Sequence, residues 1–331
     1  MPFSNLIGND SAKAALTRMA ESQQVPSTLL FYGPSGVGKS LFAISLAQLL
    51  MGGRHAPKLA SHTHPDLFLY YPEGKMAIHT VETIHQLISE IALPPYEAPC
   101  KVFIIHDAHQ MQPYGSNALL KTLEEPPPYC YFILTTSSLD AMLPTIVSRS
   151  RKVPFFPISQ SKIESFVIEQ WKKKPEEARR IAFLSHGSLA KAKQLTQHQQ
   201  LPWRAPLIEI LSLDLPGEYP QFQTLLLELE ESCAVESSAE DEEESGASSL
   251  LAIGDAIFEE ILAWHRDLCL VREEIAMEYL YHLDSIDRLK LALSKPVVPL
   301  EKILEHTFKS RLALERNVRL RTVLEQFFLS V

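Results

Sequence analysis

The stretch Leu29-Leu30-Phe31-Tyr32-Gly33-Pro34-Ser35-Gly36-Val37-Gly38-Lys39-Ser40 decides the fold. From Gly33 onward it fits G-x-x-x-x-G-K-[ST] at every specified position, and the apolar strand that this pattern requires precedes it. Residues 41–50 follow without Gly or Pro and are rich in helix formers, so the context is strand, glycine loop, helix. Gly33, Gly36 and Gly38 let the backbone curl until its N–H groups point at phosphate oxygens. The helix N-terminus adds partial positive charge at the same place. In such a loop the residues Gly33, Pro34, Ser35, Gly36, Val37 and Gly38 wrap the phosphates. Lys39 reaches the outer phosphates, and the Ser40 hydroxyl holds Mg²⁺.

Two more buried-type strands follow this unit in sequence. Lys101-Val102-Phe103-Ile104-Ile105-His106-Asp107 ends in an acid, and beside a phosphate loop that acid approaches Mg²⁺ through the metal's shell. P-loop ATPases follow the Asp with a Glu that polarises the attacking water. Here Ala108 stands in that place, and it can neither accept a proton nor orient a water. His109, two residues past Asp107, would point elsewhere on a strand. The sequence therefore argues against hydrolysis at the chain's own site. The other strand, Cys130-Tyr131-Phe132-Ile133-Leu134-Thr135-Thr136, ends in hydroxyls, with Thr136 either a sensor of the γ-phosphate or an ordinary strand-end residue.

The remaining elements are mostly helical. A helix over about 11–22 follows Asn9 or Asp10 as cap, and a short strand covers 67–71. Thr80 caps a helix with Val81, Ile84, Leu87 or Ile88, and Ile91 at helical spacing, ended by Pro94 and Pro95. Another runs from Pro113 to Glu125 until Pro126-Pro127-Pro128 stops it. A short helix over 143–147 leads into Ser148-Arg149-Ser150-Arg151-Lys152, by composition a solvated face or an anion patch. Helices then cover 161–173, 176–185 and 189–196. After a joint at Pro202 and Pro206 they cover 204–213, 219–233, 250–281, 284–294 and 299–329. The run 234–249, almost all Ser, Glu, Asp, Gly and Ala, has nothing to bury and reads as a disordered loop.

Bulk properties bound the function. The 331 residues are long for one core, and 46% hydrophobic with 21% charged residues is an ordinary globular composition. No run of eighteen apolar residues and no charged-then-apolar leader is present, so a cytoplasmic protein with no membrane contact is expected. The four cysteines stand far apart, and His55, His62 and His64 lack regular ligand spacing, so no zinc site is expected. The formal net charge is −9, and six of those negatives lie in the 234–249 run. That balance argues against tight autonomous DNA binding, which needs a basic footprint.

Asn117-Ala118-Leu119-Leu120-Lys121-Thr122-Leu123-Glu124-Glu125-Pro126-Pro127 resembles a helix motif of the bacterial clamp-loader AAA+ family. Ser148-Arg149-Ser150 stands where that family carries Ser-Arg-Cys, and Thr63-His64-Pro65-Asp66 is similar to its segment after the zinc module. The resemblance is strong through about residue 195 and architectural beyond it. It implies an α/β P-loop AAA+ core, a parallel sheet between helices, over 1–157. A helical lid over 158–200 and an all-α collar for oligomerisation over 201–331 would follow, the collar carrying the acidic loop 234–249. It further implies a subunit of the replicative DNA polymerase III clamp loader that holds ATP or ADP with Mg²⁺. The implied partners are the motor (gamma/tau) and delta subunits and, through the complex, the sliding clamp and primed DNA.

That family divides into motors, gamma or tau, which hydrolyse ATP, and delta-prime stators, which present an arginine to a neighbour's ATP. Ala108 departs from the motor pattern. So does Ala190 in His186-Gly187-Ser188-Leu189-Ala190, where a motor's lid helix places an Arg on the nucleotide. The four zinc cysteines are also missing, and the long C-terminal extension of the tau form is not expected. The resemblance thus implies the delta-prime type, with Arg149 reaching a neighbouring motor's site in trans. Two other readings stay open: a motor ATPase using His109 or a residue from elsewhere, and a binding module whose nucleotide is purely structural.

Overall fold

The computed structural model describes residues 3, 5–22, 24–52, 58, 63–73, 78–197, 201–213, 215–239, 246–274, 279–293, 298–316 and 318–331. Five strands pair in parallel: β1 (Thr28–Tyr32), β2 (Leu67–Tyr70), β3 (Lys101–Ile105), β4 (Cys130–Thr136) and β5 (Arg151–Pro154), in the order β2-β3-β4-β1-β5. An all-parallel sheet needs both faces covered, and the period-two alternation of these strands supplies two apolar faces. Leu29, Phe31, Val102, Ile104 and Ile133 pack under α1 (Asp10–Glu21) and α2 (Lys39–Met51), against Leu16, Phe42 and Leu46. Leu30, Phe103, Ile105, Phe132 and Leu134 pack on the other face. There they meet Ile84 and Leu87 of α3 (Val81–Ile91), Leu119 and Leu123 of α4 (Pro113–Glu124), and Ile146 of α5 (Pro144–Arg149). The α/β P-loop core expected from the sequence is present.

Strand β5 is absent from the sequence expectation, which read this stretch only as a basic cluster. Arg151 and Lys152 are exposed on an edge strand whose single fully buried side chain is Val153, too little apolar content to stand out. Asn9 occupies the cap position of α1 but makes no capping bond; its amide donates to Val37 O (3.4 Å) and accepts from Phe156 N (2.7 Å). Thr80 caps α3 as expected, accepting from Thr83 N at 3.2 Å. Asp66, fully buried at the start of β2, accepts from the backbone N–H groups of Tyr96, Glu97 and Ala98 at 2.6–2.8 Å. Burial pushes its carboxyl up, and those amide donors more than reverse the shift, holding it below the usual carboxylate value. The Thr63-His64-Pro65-Asp66 motif therefore anchors the loop before β3.

The chain divides into two compact units, Met1–Glu73 with Ala77–Gln194, and one built on Leu195–Val331. The first holds the sheet together with α6 (Gln160–Trp171), α7 (Pro175–Leu184) and most of α8 (Leu189–Gln197). The second is helical: α9 (Arg204–Ser212), α10 (Leu215–Ala239), α11 (Gly246–Arg272), α12 (Ile286–Ala292), α13 (Leu300–Glu315) and α14 (Leu320–Ser330). The expected loop over 234–249 is helical at both ends, through Ala239 and from Gly246, and its centre, 240–245, lies outside the described residues. The expected single helix over 299–329 is two. No Gly or Pro marks the break, so periodicity alone ran through it; α13 and α14 then share one core, with Ile303 and Phe327 in the same cluster. The helix expected over 250–281 ends at Arg272, just before Glu274 takes a left-handed conformation at φ 54°. Among the described residues no helix is long and apolar enough to cross a membrane.

A buried charge network ties the second unit together. Arg204 bonds Glu260 (2.9 Å) and Asp284 (2.6 Å), while His282 bonds Glu260 (2.9 Å) and Asp267 (3.0 Å). Burial pulls the His282 pKa down, but its bonds to Asp267 and Glu260 outweigh that and raise it above the ordinary value. Because the folded value is raised, this contribution is complete below the unfolded value of about 6.5 and is lost as pH rises through the folded one. Replacing His282→Gln should destabilise this unit by about 3–5 kcal/mol at pH 6, since buried carboxylates lose their cation. The difference from wild type should shrink in alkaline buffer. Urea unfolding followed by fluorescence of Trp264, whose ring packs edge-on to His282 at 5.2 Å, checks both.

Candidate nucleotide site

The carboxyl ends of β1, β3 and β4 meet at a cavity of about 320 Å³ within the first unit. Ser35, Gly36, Gly38, Lys39 and Ser40 line it from the loop, Asp107 and Thr135 from the strand ends. Phe166, Trp171, Leu189, Ala190 and Lys193 close it from α6 and α8. Open parallel sheets bind ligands at this edge because loops converge there and the helix N-termini are directed at it.

Two glycines of the loop are demanded by packing as well as by curl. A Cβ on Gly33 (φ 146°) would lie 2.1 Å from Phe155 O, and one on Gly36 (φ 75°) would lie 2.1 Å from Ser188 Oγ. The Gly36 carbonyl accepts from the first amides of α8, Leu189 N at 2.9 Å and Ala190 N at 3.2 Å, so the three-helix segment is joined to the phosphate loop itself. Lys39 folds back, its Nζ donating to Gly33 O and Pro34 O at 2.7 Å each. Burial lowers its pKa, and the negative charge of Asp107 acts in the opposite direction. An ammonium so held has only neutral carbonyls as hydrogen-bond acceptors, and phosphate oxygens would be stronger ones. The side chain of Val37 is buried beneath the loop, leaving its backbone to face a ligand.

β3 ends at Ile105, two residues earlier than the sequence suggested. Asp107 sits past it in the left-handed conformation (φ 44°), its N–H donating to Thr135 Oγ1 at 3.2 Å. Asp107 supplies the one carboxylate among the lining residues. Ala108 opens a single 3₁₀ turn, and its methyl is buried in the apolar cluster under α3 and α4. His109 lies on that turn rather than on a strand; its Nδ1 is 3.1 Å from Thr136 Oγ1, and it does not line the cavity.

Of the two strand-end hydroxyls it is Thr135, not the expected Thr136, that lines the cavity. Thr136 donates to Ser138 O (2.9 Å), accepts from Ser138 N (3.1 Å) and is not among the lining residues; Thr135 is. Alternation along β4 puts Ile133 on the α2 face, so Thr135 shares that face and Thr136 takes the opposite one. Arg149 is also outside this cavity. It ends α5 half-exposed, with Nη1 donating to Thr145 O (3.0 Å) and Nη2 paired with Glu124 of α4.

Several lining residues escaped the sequence reading. Lys193 lies one turn beyond Ala190 on the same helix face, so extending the Ala190 position by helical spacing would have found it. Phe166 and Trp171, packed edge to face with centroids 5.4 Å apart, carried no motif signal. His55 and His62, weighed as metal ligands, lie outside the described residues, while His64 accepts from Asp66 N at 3.1 Å. Among the described residues no three His, Cys, Asp or Glu side chains are grouped to hold a metal ion.

The donors at this cavity suit a phosphate chain with a divalent cation. Lys39 and the loop amides meet anionic oxygens, while Ser40 and Asp107 offer the hard oxygen ligands that Mg²⁺ takes. Residues 8–159 match the family model described as DNA polymerase III, delta subunit. The chain is 33% identical over 190 residues to DNA polymerase III subunit delta' of Bacillus subtilis, covering 54% of this chain and 56% of that one. It is 29% identical over 209 residues to DNA polymerase III subunit gamma of Buchnera aphidicola from Acyrthosiphon pisum, covering 59% and 58%. The chain thus spans a little over half the length of these curated relatives. Among solved structures, a DNA polymerase III gamma subunit-related protein from Thermotoga maritima overlaps at 20% identity and a TM-score of 0.41, over 91% of this chain and 98% of its own, too loosely to decide anything. Over residues 8–159, then, this chain is similar to the family described as DNA polymerase III, delta subunit.

Proposed function

We propose that this chain is a stator subunit of a DNA polymerase III clamp loader, of the delta-prime type. It holds ATP or ADP with Mg²⁺, turns it over little or not at all, and donates Arg149 to a neighbouring motor's ATP. The observation that carries this reading is the cavity's acid inventory. Asp107 is its one lining carboxylate, and the residue after it is a buried alanine. A carboxylate committed to Mg²⁺ is not free to polarise a water, so binding survives and hydrolysis lacks its base. His109, the alternative base, faces Thr136 instead of the cavity.

At the site Lys39 would exchange its two loop carbonyls for phosphate oxygens. The loop amides and the start of α2 orient the phosphates, and Phe166 and Trp171 shield them from water. Ser40 and Asp107 would hold Mg²⁺, which would supply charge neutralisation to the phosphates. Arg149 cannot serve this cavity from its place at the end of α5. Its half-exposed guanidinium, paired at the surface with Glu124, is free to trade that weak partner for a phosphoryl group on an adjoining subunit. Residues 158–200 would act as the lid and 201–331 as the oligomerising collar. The motor (gamma/tau) and delta subunits are the partners, and the sliding clamp and primed DNA are reached through the complex. The competing motor reading draws support from the intact Lys39, Ser40 and Asp107 set and from the gamma relatives.

Two outcomes test the proposal. In a complex reconstituted with the organism's motor and delta subunits, clamp and primed DNA, Arg149→Ala should cut ATP hydrolysis at least about tenfold, within the range an arginine in trans supplies. The isolated chain should show no turnover. Turnover by the chain alone with an indifferent Arg149→Ala complex would establish the motor reading instead. Lys39→Ala should weaken ADP binding by the isolated chain roughly 10–100-fold, the scale of a lost charge-assisted bond, measured by titration calorimetry.

A further inference from the structure

We propose that His106 is the positioning residue that turns the Ser40 hydroxyl into a cation ligand. The inference rests on the nucleotide reading of the cavity and deepens it. A serine hydroxyl that ligates a cation must aim its proton away from the ion, so it needs an acceptor on its far side. His106 Nδ1 lies 3.1 Å from Ser40 Oγ and is that hydroxyl's side-chain partner among the described residues. Ser40 is open to the cavity, whereas His106 is only 3% exposed, so the imidazole stands behind the hydroxyl rather than beside a ligand.

The ring cannot easily turn away. Tyr71 stacks on it with centroids 4.3 Å apart and planes 7° from parallel. The backbone carbonyl of His106 accepts from His79 Nε2 at 2.6 Å, and its N–H donates to Tyr70 O at 2.8 Å. With Nδ1 accepting, Ser40 spends its proton on the imidazole and presents its oxygen lone pairs to the cavity. The next residue is Asp107, so one short backbone segment sets both cation-side groups: Asp107 directly and Ser40 through the ring. No motif flagged His106; in sequence it is merely the residue before the acid.

The test is equilibrium binding of ADP by the full chain, in Mg²⁺ and in EDTA, for wild type, His106→Phe, His106→Asn, Ser40→Ala and the Ser40→Ala/His106→Phe double variant. Phenylalanine keeps the ring on Tyr71 but removes the acceptor, and His106→Leu is a second acceptor-free variant. Asparagine restores an acceptor oxygen where Nδ1 stood. The wild type should bind more tightly in Mg²⁺ than in EDTA, and His106→Phe should lose roughly tenfold of that gain while its EDTA affinity stays within about twofold. His106→Asn should recover the gain. His106→Phe should add nothing to Ser40→Ala, because both act through one oxygen. A His106→Phe or His106→Leu chain with the full Mg²⁺ gain, an equal loss in both buffers, or additive effects in the double variant overturns the role of His106 and leaves the nucleotide reading standing. A wild type that binds ADP in neither buffer overturns both.

Discussion

The turn by which β1 becomes α2 is the constraint on which the cavity depends. A parallel strand buried on both faces must leave the sheet at its carboxyl end and reverse within a few residues. Here it does so through Gly33, Gly36 and Gly38, all at positive φ. Those conformations leave carbonyls as well as amides facing inward, and Lys39 satisfies two of the carbonyls from within the loop. Gly36 O is taken up by the first amides of α8. One turn therefore curls the loop, holds Lys39 folded back on it and attaches the helices that roof the cavity.

The sheet sets what surrounds that turn. Its order places β4 and β5 on either side of β1, with β3 next to β4, so Thr135 and Asp107 reach the cavity from neighbouring strand ends. The identity of each side chain there follows from strand period and from the left-handed backbone at Asp107. Shifting the pattern by one residue exchanges Thr135 for Thr136, and continuing the strand would have aimed Asp107 and His109 elsewhere. Small backbone choices thus decide which group meets a ligand. They also explain how a complete phosphate loop coexists with a cavity that has one carboxylate.

Much of this was legible in the sequence, for physical reasons that differ by element. The phosphate loop, the apolar strands and the Thr80 cap are local patterns, each readable from a few consecutive residues. Strand β5 was not, because an edge strand with exposed Arg151 and Lys152 owes its place to pairing with β1 rather than to its own apolar content. The break between α13 and α14 carries no helix breaker and comes from packing within the second core. The site was legible where a motif names residues, at Lys39, Ser40 and Asp107. It was opaque where contact depends on distant segments meeting, as for Lys193, Phe166, Trp171 and His106. The buried set of Arg204, Glu260, Asp267 and His282, with Asp284 at its edge, is the same case, since charges far apart in sequence give no hint that they will neutralise one another.

The proposed stator role requires a site that binds nucleotide and does not spend it. Single-turnover conversion of labelled ATP by an excess of the isolated chain with Mg²⁺ addresses it most directly, because every ATP is then bound and any competent base must show itself. The account predicts that bound ATP is recovered intact after many turnover times of a working motor subunit. Conversion to ADP at a motor's rate, abolished by Asp107→Asn, would contradict it.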